Sequence, residues 1–258
     1  MTKGMITGGS RLLWWMGLVL AAAIMAALFL HHRSVDNRML LMRVDPEAIL
    51  DSDPARAVAL ADGARVYAAH CASCHGVDAK GSRERAVPDM TDDDFLYGSG
   101  KASEIEQIVL HGIRAGDTRG WDLAAMPNYA RAVPYAREKL PPLTPAGLRD
   151  VVAFLRAANG NGGYERAAIE RGRLLFMRDA GCYDCHSSDA QGDPSIGAPN
   201  LVDGKWLKGN GSEADIAYTL EHGLAGVSPA FARALSPYDA RAVAVYVASL
   251  HPQTRAAP

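Results

Sequence analysis

The sequence predicts an all-α chain in which one membrane-spanning helix is followed by two tandem copies of a small helical module. Three observations lead there: an uncharged apolar run at residues 12–30, two Cys-x-x-Cys-His pentapeptides, and a sequence repeat whose two copies hold one register from the pair Cys71/Cys182 to the pair His111/His222. Composition supports a folded protein, with 258 residues, 48% hydrophobic and 22% charged. Twenty-seven basic residues against 29 acidic ones give a net charge of -2, so no basic field exists to hold nucleic acid.

The apolar run has 19 residues, and as a helix it would reach about 28 Å, enough to cross a bilayer. A cleavable signal peptide would have a shorter apolar region ending in a small-x-small site. This run ends Phe29-Leu30-His31-His32-Arg33, which reads as an uncleaved anchor. Trp14 and Trp15 suit an aromatic belt or plain apolar filling. Basic residues stand on both flanks, Lys3 and Arg11 before the run and Arg33, Arg38 and Arg43 after it, so the flanking charge leaves orientation open. Residues 1–11 are expected to form a short cytoplasmic N-terminus and residues 31–53 a tether.

The four cysteines fall in Cys71-Ala72-Ser73-Cys74-His75 and Cys182-Tyr183-Asp184-Cys185-His186, which leaves none for a disulfide framework. This is the attachment signature of c-type haem. Two cysteines three apart reach both vinyl groups of one porphyrin, and the adjacent histidine becomes the proximal iron ligand. A zinc half-site would need two further ligands nearby, and a thioredoxin-like motif would need a βαβ context. Covalent haem attachment occurs outside the bacterial cytoplasm, so the modules are expected on the periplasmic side of the inner membrane.

The repeat pairs Gly81 with Gly192, Pro88 with Pro199, Gly98 with Gly209 and His111 with His222. Ahead of each haem motif a glycine precedes an aromatic residue by four positions, Gly63 to Tyr67 and Gly172 to Phe176, in segments that read as helix. These glycines would let the first and last helices of a module cross closely. After each motif, Leu143-Thr144-Pro145 and Leu235-Ser236-Pro237 open amphipathic runs, with Thr144 and Ser236 as N-caps. Asn159-Gly160-Asn161-Gly162-Gly163 breaks the pattern, so the modules are expected to be residues 54–160 and 161–258. The first copy carries extra residues, among them a Pro-flanked stretch at 133–142 that suits a surface docking loop.

These residues resemble a membrane-anchored dihaem cytochrome c, most closely the dihaem electron-accepting subunit (subunit III) of cbb-type cytochrome c oxidases. The likeness lies in His111-Gly112-Ile113-Arg114-Ala115, Pro88-x-x-Thr91-Asp92, Ala198-Pro199-Asn200-Leu201, Trp206-Leu207 and Gly226-Val227-x-Pro229-Ala230-Phe231. The family's Asn-Pro-Leu-Pro-like run ahead of the anchor has no match before Leu12, so a different respiratory complex is an alternative partner.

The resemblance implies two class I cytochrome c domains and two covalently attached haems c. It also implies that the carbonyls of Pro88 and Pro199 accept the ring N–H of the proximal His75 and His186. Met126 is expected as the sixth ligand of the first haem, with Met90 as competitor. Trp206 suits a hydrogen bond to a haem propionate or packing against the ring. In the second copy Ser228 stands where a thioether is required, which leaves that haem open, water-ligated or bound to His222; His251 is expected at the surface.

The function expected is one-electron transfer from a donor cytochrome c or a quinol-oxidising complex to the catalytic subunit of a membrane-bound terminal oxidase, with the chain held in the lipid bilayer. The alternatives are a ligand-binding or enzymatic cytochrome using an open second haem, and the cytochrome subunit of a periplasmic dehydrogenase.

Overall fold

The structure is a computed structural model that describes residues 8–134 and 139–252. It is mostly helical. Helix α1, Gly8–Arg43, has 36 residues and a length of about 54 Å. From Leu13 to Leu30 its large apolar side chains are exposed, as a lipid-facing span requires.

The expected tether is not a loose strap. Residues 31–43 contain no glycine or proline, so the helix runs on until Pro46 opens a 3-10 turn, Pro46–Asp51, capped by Asp45. Leu41 and Ile49 at this junction are fully buried, packed with Ala55, Ala59, Ala242 and Val245. The foot of the anchor helix is socketed in the globular body.

Helix α2, Asp53–His70, leads into α3, Ala72–His75. Then come α4, Ala102–His111, and a minimal hairpin, β1 Val133–Pro134 with β2 Lys139–Leu140. The tip of the expected docking loop, residues 135–138, lies outside the described residues, as do residues 1–7 of the expected N-terminal segment. Helix α5, Pro145–Ala158, starts at Thr144, whose hydroxyl accepts from the Gly147 N–H at 3.0 Å. The second copy follows with α6, Arg166–Leu174, a π-helical turn, Leu175–Asp179, α7, Tyr183–His186, and α8, Glu213–His222. Helix α9, Pro237–Ala248, is capped by Ser236. Both N-caps stand where the sequence puts them.

The close helix crossings are present, but their partners differ from expectation. Gly63 on α2 lies against the Ala242 carbonyl and Tyr246 of α9, and Gly172 on α6 lies against the Asp150 carbonyl and Phe154 of α5. A Cβ at either glycine would collide with that backbone. The first helix of each copy therefore packs on the closing helix of the other, and residues 54–160 and 161–258 interlock instead of forming separate bodies.

The link between α5 and α6 gives the reason. It is short, and Asn159 pins it by donating to the carbonyls of Leu155 at 2.9 Å and Leu201 at 2.7 Å while accepting from the Gly204 N–H. Helix α5 is thereby kept beside α6, and α9 returns to fill the groove on α2 and α4. The exchange is two-fold in its details. Gly98 N–H donates to the Pro194 carbonyl and Gly209 N–H to the Arg83 carbonyl, both at 3.0 Å. The two donors are repeat equivalents of each other, and so are the two acceptors.

Candidate haem-binding sites

Each Cys-x-x-Cys-His motif is one helical turn, with the His75 and His186 N–H groups donating to the carbonyls of Cys71 and Cys182 at 3.0 Å. Left-handed residues at Ala79 and Ala190 then fold the chain back, so that Gly81 and Gly192 bond the carbonyls of His75 and His186 at 2.9 Å. Both glycines have positive φ and press on the following proline carbonyl, at Pro88 and Pro199, where a Cβ would not fit. That contact brings a carbonyl to each imidazole.

His186 Nδ1 lies 3.0 Å from the Pro199 oxygen, which fixes the proton on Nδ1 and leaves the Nε2 lone pair for a metal. At His75 the Pro88 carbonyl acts in the same sense, but the hydrogen bond is not closed, and Nδ1 is buried without a partner. Burial pushes both imidazoles below the ordinary histidine range, which favours the neutral form that binds iron. All four cysteines are free. Burial pushes the Cys71 and Cys182 thiols up to about 11.

Both motifs open on one cavity of about 450 Å3, which Cys71, Cys74, His75, Pro88, Met126, Cys182, Cys185, His186, Pro199 and Trp206 all line. Its walls are mainly apolar, from Phe176, Leu220 and Ile216 on one side and Tyr67, Val243 and Val247 on the other. An apolar cavity with two thiols and a neutral imidazole at each end, one ring nitrogen of them orphaned, fits the large apolar face of a porphyrin. Among the described residues no three of His, Cys, Asp and Glu gather as a metal cage, so neither motif has the extra ligands of a zinc site.

The position of Met126 differs from the place the sequence expectation gives it. Its backbone exchanges two hydrogen bonds with Leu224, both 3.0 Å, and its side chain packs on the cluster containing Cys182, Phe176 and Leu220. Met126 thus packs on the side of the shared cavity that carries Cys182 and not with the cluster around Cys71. The loop follows the closing helix it precedes, and the closing helices are exchanged. Ser228 is exchanged with it and pairs with Ile113 through bonds of 2.9 and 3.0 Å. Ile113 and Leu224 are again equivalent positions of the repeat. Met90 donates from its N–H to the Ala79 carbonyl just as Leu201 does to Ala190, on the stretch that carries the proline carbonyl.

The two remaining histidine expectations also change. His222 does not line the cavity; it is exposed, donates from Nδ1 to the Tyr218 carbonyl at 2.8 Å and stacks on the Tyr218 ring. Its helical i−4 carbonyl and an aromatic neighbour hold the ring at the surface. His251 is buried, with its ring 4.3 Å from that of Phe95 and its Nδ1 2.6 Å from the Asp92 carbonyl. His111 is buried beside Asp117.

Arg114 is a residue whose role the sequence did not disclose. Its guanidinium donates to the carbonyl of Gly226 at 2.6 Å and of Ala124 at 2.8 Å, each two residues before Ser228 and Met126. One side chain ties both loops. Its counterpart in the other copy is Ala225, so comparison of the copies hides it.

Two family models match the chain: Cytochrome c over residues 60–159 and Cytochrome C oxidase, cbb3-type, subunit III over residues 167–247. The Cbb3-type cytochrome c oxidase subunit FixP of Bradyrhizobium sp. (strain ORS 278) is 35% identical over 218 residues, covering 83% of this chain and 69% of that protein. FixP of Rhizobium meliloti (strain 1021) is 32% identical over 254 residues, 96% of this chain and 77% of its own. The CcoP subunit of Azospirillum brasilense is 34% identical over 200 residues, 75% of this chain and 63% of its own.

Proposed function

The chain belongs to the FixP/CcoP family of cbb3-type cytochrome c oxidase subunits, and from that premise we propose that it is an anchored dihaem carrier passing single electrons to a haem-copper terminal oxidase. The observation that carries the reading is the shared cavity, lined by both Cys-x-x-Cys-His motifs. Two redox groups at its ends would be neighbours, which suits successive stations in a chain of transfers.

Bound haem supplies the one-electron ferric/ferrous couple. The protein's own residues do the rest. Cys71, Cys74, Cys182 and Cys185 fix each porphyrin, and His75 and His186 offer neutral nitrogen donors. Pro88 and Pro199 orient those rings, and Met126 brings a thioether to the His186 site. Trp206 lines the same cavity, where it would serve a carboxylate of the porphyrin rim or pack against the ring. Helix α1 crosses the bacterial inner membrane once, with the haem body on the periplasmic side, where the thiols are modified. There it receives electrons from a donor cytochrome c or a quinol-oxidising complex.

Purification of the intact membrane complex tests this. Haem staining after denaturation should give a haem-to-chain ratio near two, and a haem-copper catalytic subunit should co-purify. A ratio near one would remove the second station. A dehydrogenase in place of the oxidase would change the partner.

A further inference from the structure

The loops that close the two haem sites make the same backbone hydrogen bonds and differ in the side chain that matters most for iron. Met126, paired with Leu224, presents its side chain to the cluster around Cys182. Ser228, paired in the same way with Ile113, lines the cavity on the side of Cys71, Val109 and Phe231. A thioether at one site is matched by a hydroxymethyl group at the other, and a neutral hydroxyl is a poor ligand for haem iron.

We propose that the haem held by His75 has no side-chain sixth ligand and binds a small neutral diatomic, of the carbon monoxide or nitric oxide class, while Met126 closes the haem held by His186. The inference rests on the dihaem reading and adds an open coordination site to it.

Several other donors that line the cavity have places of their own. Met90 packs on the cluster beside Cys71, but it lies on the Pro88 stretch that carries the carbonyl toward His75, in the position that Leu201 takes in the other copy. Tyr67 donates its hydroxyl to the Gly76 carbonyl at 2.7 Å, and His251 is engaged by Asp92 and Phe95. His70 is exposed at the end of α2, edge-on to Phe231 with ring centroids 6.2 Å apart. The loop itself is anchored, because Arg114 holds the Gly226 carbonyl and the Phe231 N–H bonds the Val109 carbonyl. The apolar wall there includes Phe231, Val243 and Val247. These apolar residues favour a small neutral diatomic over an anion, while the Ser228 hydroxyl is the polar group its loop brings to the cavity.

The experiment uses the full-length haem-loaded chain in detergent, with haem counted after denaturation. Two haems per chain and uptake of about one carbon monoxide per reduced chain are expected, with a single methionine-to-iron charge-transfer band in the oxidised protein. Ser228→Met should lower carbon monoxide uptake at least about tenfold and add a second band, and Met126→Leu should raise uptake to about two per chain. Two haems with no uptake, or a bis-histidine signal that His70→Ala removes, would overturn the proposal and leave the dihaem reading intact. A count of one haem would take both down. If Ser228→Met does not load haem, the band count of the unaltered protein together with Met126→Leu decides.

Discussion

Met126 and Ser228 occupy matching places in a repeated loop, and on the proposed reading that one side chain sets the two haems apart. Replacing Met126 by leucine conserves volume and should cost the fold less than about 1.5 kcal/mol, yet it should lower the potential of the His186 haem alone and abolish the charge-transfer band. Redox titration with the band monitored checks this, and a shift confined to the His75 haem would contradict the observed exchange. The equivalence of Met126 and Ser228 was legible in the sequence, as were the cysteines and histidines, because chemistry fixes those spacings. The haem that each loop serves was not legible, since contacts such as Met126 with Leu224, far apart in the chain, decide it. Arg114 was equally hidden. A lysine there has no fork to reach both carbonyls, so Arg114→Lys should cost roughly 1.5–3 kcal/mol for the lost charged hydrogen bond and broaden the resonance spectra of both haems together.

The helices carry the exchange, and their glycines are its points of closest contact. Gly63→Val would push α2 away from the Ala242 carbonyl and should destabilise the body by roughly 1–3 kcal/mol, followed by thermal unfolding of the haem-loaded chain. The readout that separates the exchanged arrangement from an ordinary one is location: the His75 haem should be disturbed by changes in α9 and untouched by changes in α5. The sequence told where the helices start, because Thr144, Ser236 and their prolines are local signals. It also contained the evidence against a tether, namely the lack of glycine and proline before Pro46. That evidence is weak alone, because a polar, charged stretch after an anchor reads equally well as a linker until Leu41 is seen buried.

At the scale of the whole molecule, the two copies form a single folding unit. Expressed alone with an export signal, residues 54–160 would leave the faces of α2 and α4 that α9 covers exposed to water, including Ala59 and Ala102. That fragment should not form a soluble haem-loaded domain, whereas supplying residues 161–258 as a second chain should restore one. Circular dichroism and haem content measure the outcome, and a stable, haem-loaded first half would refute the interlocked fold. The number and type of modules were readable from the register shared by Cys71/Cys182 and His111/His222. Their connection was not, because a repeat records what each copy contains and is silent about which copy completes which core.

If the haem body is exported as proposed, the return of α9 to α2 also sets the order in which the protein can be finished. The first pair of thiols emerges early, yet its surroundings are complete only when Pro237–Ala248, near the far end of the chain, has crossed. The second pair has α5 and α6 beside it almost at once. The site made first is therefore assembled last, and on the proposed periplasmic side Cys71 and Cys74 would stand unshielded for the length of that delay, where a premature disulfide would compete with haem.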